Sequence, residues 1–206
     1  MEKKRSFYNL DVTLEQAEEQ LKKLDPAKIA PLSGTKYDQN ESAIIVPFLS
    51  QEHRVLFPSA SVVDLEGNRA STYTAILILH YLVTAKGTPL TGEWISYRHL
   101  PGGDIYMDPF QKRAVMPFLK TFGDKPEDFK KAAIAIGAQE GSGSGISMVF
   151  TVLPRVPICF VIWPGDDEMP SSANILFDAA AADYMPTEDY AHLPAIVNGA
   201  MKKKLG

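Results

Sequence analysis

Apolar residues in this chain recur in two rhythms. Leu14, Ala17, Leu21 and Leu24 fall at helical spacing, with Glu and Lys on the other faces. Thr13 and Gln16 have the spacing of a capping box, so the helix is expected to begin near Thr13. It is expected to stop at Asp25-Pro26, because the residue before proline avoids the α region. Residues 31–42 follow neither rhythm and read as a loop. Ala43 to Leu49 and Arg54 to Phe57 are apolar and rich in β-branched residues, with a polar break at Gln51-Glu52, which predicts a pair of strands. Ser61 to Leu65 predicts a third short strand. Residues 70–84 predict a strong helix, with Tyr73, Ile76, Leu77, His80 and Val83 on one face and Gly87 just past its end.

The second half repeats the alternation. Glu93 to Tyr97 reads as a short strand and Pro101-Gly102-Gly103-Asp104 as a turn. Asp108-Pro109 reads as a helix start, and Pro117 should kink or divide the helix that follows. Pro126 opens another helix that ends at Gly137. Ile146 to Leu153 and Val156 to Trp163 read as buried central strands joined by Pro154-Arg155. Asn174 to Phe177 adds a strand ending at Asp178. Thr187 caps a last helix, in which Pro194 marks either a kink or the start of the longer part. Strands therefore come in runs, not in strict βαβ alternation. The expected class is α+β, with a mixed or mainly antiparallel sheet and helices packed on it; an α/β three-layer arrangement is the alternative. Residues 1–206 are read as a single domain, with residues 1–40 either packed on it or forming an N-terminal helical arm.

Composition narrows the function classes. At 206 residues with 45% hydrophobic and 22% charged, the chain can bury a core without disulfides or metal. A net charge of −4 argues against a nucleic-acid binder. Basic residues cluster only at Lys3, Lys4, Arg5 and at Lys202, Lys203, Lys204, where solvated termini account for them. The single Cys159 excludes a four-cysteine zinc or iron–sulfur site. No apolar run follows the N-terminal Met1 to Phe7, and none is long enough to span a membrane, so a cytoplasmic protein is expected.

Candidate chemistry lies in three places. The acidic band holds Asp166, Asp167 and Glu168 after Trp163, then Asp178, Asp183, Glu188 and Asp189. Clustered carboxylates suit a divalent metal or acid–base work, while a solvated turn and a dipole-favoured helix start account for them more simply. Glu188 and His192 share a face of a continuous helix and form a candidate metal pair. Arg98, His99 and Asp104 flank two glycines, an arrangement suited to an anionic ligand. His80 reads as a core histidine. Gly141 to Gly145 reads as a connector, because it follows a helix and precedes a strand, the reverse of a phosphate cradle.

The runs Leu79-His80-Tyr81-Leu82, Gly87-Thr88-Pro89-Leu90-Thr91-Gly92-Glu93-Trp94-Ile95-Ser96-Tyr97-Arg98 and Leu153-Pro154-Arg155-Val156-Pro157 resemble an uncharacterised domain family of anaerobic bacteria and archaea. So do Trp163-Pro164-Gly165-Asp166-Asp167-Glu168-Met169-Pro170, Ile175-Leu176-Phe177-Asp178 and Tyr184-Met185-Pro186-Thr187-Glu188-Asp189. The resemblance covers most of the chain from about residue 70. Some members of that family carry a four-cysteine iron–sulfur domain similar to one in corrinoid proteins of one-carbon metabolism. The resemblance implies that setting and assigns no catalytic residue or cofactor.

Three functions follow as expectations. The first is a binding or accessory protein for a small anionic ligand, with Arg98, His99 and Asp104 on one wall and Trp163, Asp166, Asp167 and Asp178 on another. The second is a metal-assisted enzyme using those carboxylates, Glu188 and His192. The third is a protein-interaction module presenting the turns around Trp163 and Tyr184 to a protein partner.

Overall fold

The computed structural model describes residues 10–205. Lys3, Lys4, Arg5 and the start of the expected arm lie outside the described residues. Helix α1 (Leu10–Leu21) already includes Leu10, so Thr13 lies inside the helix and not at its cap. Ala17 and Leu21 are buried in the same apolar cluster as the strands, so α1 packs on the core. Helix α1 ends at Leu21, ahead of the expected Asp25-Pro26 stop, and Pro26 starts the next helix. Asp25 accepts a hydrogen bond from the Ala27 amide at 3.0 Å, and α2 (Pro26–Ser33) runs on from there. Gly34, at φ +66°, closes α2 in the left-handed conformation that glycine adopts without strain. Part of the stretch expected as loop is thus helix, followed by β1 (Lys36–Asp38).

Two sheets follow, each antiparallel throughout. The first is a meander of β1, β2 (Ala43–Phe48), β3 (Gln51–Leu56) and β4 (Ser61–Asp64). Ile44 faces Val55 and Val46 faces His53, which sets one apolar face toward the core. The second has the order β5 (Trp94–Ser96), β9 (Ser172–Asp178), β8 (Val156–Trp163), β7 (Ile146–Leu153) and β6 (Gln139–Glu140). The Leu49 amide donates to the Val152 carbonyl at 2.8 Å and joins the two sheets. The class is α+β, as the runs of strands predicted, and the parallel pairing that a three-layer α/β arrangement needs is absent among the described strands.

Helix α3 (Thr72–Thr84) is capped by Ser71, whose hydroxyl accepts from the Thr74 amide at 3.1 Å. The next helical stretch starts at α4 (Met107–Phe110), one residue before the expected Asp108 cap. It widens into a π turn over Gln111–Val115 before α5 (Met116–Phe122). Pro117 has no amide hydrogen to give the carbonyl four residues back, and the helix relaxes its winding just ahead of that gap. Helices α6 (Pro126–Ile134), α7 (Thr187–Tyr190) and α8 (Leu193–Lys202) complete the chain. Phe118 lies 4.9 Å from Phe160 and 5.0 Å from Phe129, ring centre to ring centre, pinning α5 and α6 onto β8. No helix among the described residues is long and apolar enough to cross a membrane.

Candidate functional site

The glycine–threonine segment after α3 is strapped to the end of β9. Asp178 accepts from the amides of Thr91 (3.1 Å), Gly92 (2.8 Å) and Ala180 (2.9 Å), and from the Thr91 hydroxyl (3.1 Å). Asp183 accepts from Lys86 Nζ and Thr88 Oγ1, each at 2.8 Å. The Tyr184 hydroxyl donates to the Thr88 carbonyl, and the Tyr97 hydroxyl to the Thr187 carbonyl at 3.1 Å. These bonds join motifs some 90 residues apart in sequence. Their result is to hold α7 beside the half-buried side of α3 that carries His80.

That placement creates the site. His80 Nδ1 lies 2.8 Å from Asp189 Oδ2. The pair is largely buried, with His80 23% and Asp189 10% exposed. A carboxylate accepts, so in the neutral ring Nδ1 carries the hydrogen and Nε2 keeps its lone pair. A cavity of about 630 Å³ opens beside the pair. Leu10, Ile76 and Leu77 supply apolar wall, while Tyr73, Arg113, Glu188 and His192 bring polar groups to it. Tyr73 and His80 come one heptad apart on α3, Arg113 comes from the π turn, and His192 from the joint between α7 and α8. The His192 ring packs edge-on to Tyr73, with centroids 5.3 Å apart.

Apart from the His80–Asp189 bond, these side chains make no hydrogen bond or ion pair among the described residues. Tyr73, Glu188 and His192 are half-buried and Arg113 is exposed at the mouth. These groups line one partly apolar hollow and make no hydrogen bond to one another, as the polar groups of ligand sites do. Burial pushes the Glu188 carboxyl above its usual range, and the neighbouring Asp189 adds to the effect. Burial lowers His192, helped by the Arg113 guanidinium and opposed by Asp189. Burial raises the Tyr73 phenol well above its usual value. Desolvation and opposed neighbours of this kind mark functional sites.

Glu188 yields a stability prediction. A carboxyl whose folded pKa is raised contributes stability below its unfolded pKa and loses it as pH rises through the folded value. At pH 7 the charged group therefore opposes folding. Glu188→Gln is expected to raise the melting temperature at pH 7 by about 1–2 °C and to give no gain near pH 4. Calorimetry at the two pH values checks this, and a lower melting temperature at pH 7 would show that Glu188 has a stabilising partner.

The other candidate residues are distributed differently. Arg98 and Asp104 pair with each other at 3.2 Å, both well exposed. His99 Nδ1 lies 3.2 Å from Ser96 Oγ. Trp163 donates from Nε1 to Ser144 Oγ at 3.4 Å. Asp166 caps its own turn, accepting from the Glu168 (2.9 Å) and Met169 (2.8 Å) amides, which lower its pKa. Asp167 is exposed beside it. Trp163 pairs with Ser172 at one end of β9, whereas Asp178 pairs with Trp94 at the other, so the 163–168 turn and Asp178 do not share a wall. Glu188 and His192 do meet in one cavity. The helix between them is broken, because α8 starts anew with Pro194 in its first turn. Among the described residues, no three His, Cys, Asp or Glu side chains form a group able to hold a metal. Tyr184 is fully buried and supplies no contact surface.

Sequence reasoning missed His80, Asp189, Tyr73 and Arg113 as a group. Asp189 reads as an ordinary first-turn acid and His80 as core. The one available signal was a histidine and a tyrosine interrupting the apolar stripe of α3 at a spacing of seven.

The family model of a domain of unknown function (DUF3786) matches residues 25–199. The chain belongs to this family. No curated protein and no solved structure matches it. The DUF3786 segment contains Tyr73, His80, Arg113, Glu188, Asp189 and His192, so all the polar groups of the cavity that the site argument uses lie within it. Helix α1, which closes one side of the cavity with Leu10, precedes it.

Proposed function

We propose that this chain binds a small organic anion in the cavity between α1, α3, α7 and the π turn. The observation that carries the reading is the convergence of Arg113, Glu188, His192, Tyr73 and His80 Nε2 on one hollow, without hydrogen-bond or ion-pair partners among the described residues. A guanidinium suits a carboxylate or phosphate. Leu10, Ile76 and Leu77 suit a short carbon skeleton. Glu188 and His192, first read as a metal pair, serve here as hydrogen-bonding groups for the ligand. The resemblance to a family of anaerobic organisms supports a cytoplasmic role there, in one-carbon or corrinoid metabolism, and sets the choice of probes.

The test is the melting temperature of the full chain, measured without oxygen, against small carboxylates, phosphate esters, corrinoids and divalent metals. A ligand at about 100 times its Kd adds about 2.7 kcal/mol, which is several degrees for a domain of this size. An organic anion is expected to give that shift. Arg113→Ala is expected to weaken its binding by about 1.5–3 kcal/mol, read by titration calorimetry, while Arg98→Ala leaves binding unchanged. A shift with metals alone, or an affinity indifferent to Arg113, would overturn the reading.

A further inference from the structure

We infer that the cavity performs proton transfer at carbon: His80 Nε2 removes a proton from the carbon next to the carbonyl of a small anionic carbonyl compound, such as a 2-oxo acid. The inference rests on the binding reading above and adds a reaction to it. Its ground is the His80–Asp189 pair. The Nδ1–H bond to Asp189 Oδ2, at 2.8 Å, fixes one tautomer and one ring orientation. The other nitrogen, Nε2, has no partner among the described residues, while the ring lines the cavity. A base held by a buried carboxylate and open to an apolar-walled hollow has the arrangement general-base catalysis uses.

The remaining groups have roles in the same step. Arg113 holds the anionic end of the compound. The C–H bond breaks, its proton passes to Nε2, and its electron pair forms the carbon–carbon double bond. The carbonyl π pair moves to oxygen, which carries the negative charge of the enolate. The product is the enolate with His80 as imidazolium, and return of a proton from Nε2 to the same carbon regenerates the carbonyl compound. Atoms and charge balance without an oxidant or reductant. Asp189 is a positioning residue: it touches His80 and not the reacting atoms.

The experiment uses the full chain in deuterium oxide with pyruvate, 2-oxobutanoate, 2-oxoglutarate and dihydroxyacetone phosphate as probes. Binding of each probe is measured first by calorimetry, and exchange of its α-hydrogens is then followed by proton NMR. At least one bound probe is expected to exchange ~10²-fold or more faster than in the same buffer without protein. His80→Gln is expected to keep binding and lose that acceleration. Asp189→Asn is expected to keep binding and lower the exchange rate ~10-fold or more, because the ring loses its fixed tautomer. The split between retained binding and lost rate separates positioning from a structural effect, and circular dichroism confirms that both variants are folded. Probes that bind but exchange equally in wild type and His80→Gln overturn proton transfer and leave the binding reading standing. Binding by none of the four overturns the inference for this class of compound, and the wider panel above then decides the binding reading by itself.

Discussion

Phe177→Ala is expected to lower the stability of the chain by about 3–5 kcal/mol, the range for removing a fully buried aromatic ring. Phe177 has no exposed surface. It sits within β9, between Ile95 of β5 and Ile158 of β8. Its ring lies 5.2 Å from Tyr190, 6.0 Å from Phe110 and 6.1 Å from Tyr97. One side chain therefore ties the five-stranded sheet to α4, to the turn after β5 and to α7. Aromatic pairs of this kind each add about 0.5–1.5 kcal/mol beyond area burial. A domain with a total stability of about 5–15 kcal/mol loses a large share of it in one substitution. Guanidinium unfolding checks the prediction. The midpoint is expected to fall with the slope unchanged, since the same surface is exposed. Phe177→Leu keeps most of the volume and is expected to cost well under half as much. An alanine variant losing less than 1 kcal/mol would mean that the ring is not the joint described here. The change also reaches the cavity, because Tyr190 follows Asp189 directly and shares its helix.

The architecture was legible wherever a local rule acted alone. The long apolar runs at Ile146–Leu153 and Val156–Trp163 could only be buried strands, and the stripe Tyr73, Ile76, Leu77 could only be a helix face. The order of strands in runs then implied antiparallel sheets. Legibility failed where one residue served two elements. Pro26 opens a helix, and reading it only as the stop of the one before left α2 unseen and its last residues, 31–33, as loop. Pro117 was expected to kink or divide its helix, and the helix is divided there, but the irregular turn it leaves, the one that carries Arg113, lies just ahead of the proline. The site was harder for a different reason. Its central pair, His80 and Asp189, is 109 residues apart in sequence. Neither partner differs locally from a core histidine or a helix-start acid. What makes them a pair is the strap between residues 86–93 and 178–190, and no periodicity reports that. Spacing did identify Glu188 and His192 as neighbours, though by way of a continuous helix that Pro194 does not permit. The carboxylates at 166–168 attracted attention because they are consecutive, yet consecutive acids in a turn are most simply held by their own backbone, as Asp166 is.

Asp178→Ala is expected to cost about 3 kcal/mol or more and to weaken ligand binding although Asp178 does not line the cavity. The carboxylate is almost fully buried. Its Oδ1 accepts from the Thr91 amide and hydroxyl and from the Ala180 amide, and its Oδ2 from the Gly92 amide. Removal leaves the buried Ala180 amide unpaired and frees the Thr91 and Gly92 amides, which lie at the surface, and a lost buried bond of this kind is worth about 1–3 kcal/mol. Asparagine can keep its carbonyl oxygen at the Oδ1 position, so Asp178→Asn retains three acceptances and loses the one to Gly92. It is expected to cost about 1–2 kcal/mol. The strap held by Asp178 is the one that sets α7 on α3, so its release moves Asp189 away from His80. Alanine should therefore reduce both the unfolding midpoint and the affinity for any anion that Arg113 helps to bind, while asparagine reduces both less. Denaturant unfolding and calorimetric titration on the two variants read the two effects side by side. Binding lost at full stability would make Asp178 a direct ligand contact, contrary to the four hydrogen bonds that occupy it. Stability lost with binding intact would detach the strap from the cavity and leave α7 held by Asp183, Tyr97 and Tyr184 alone.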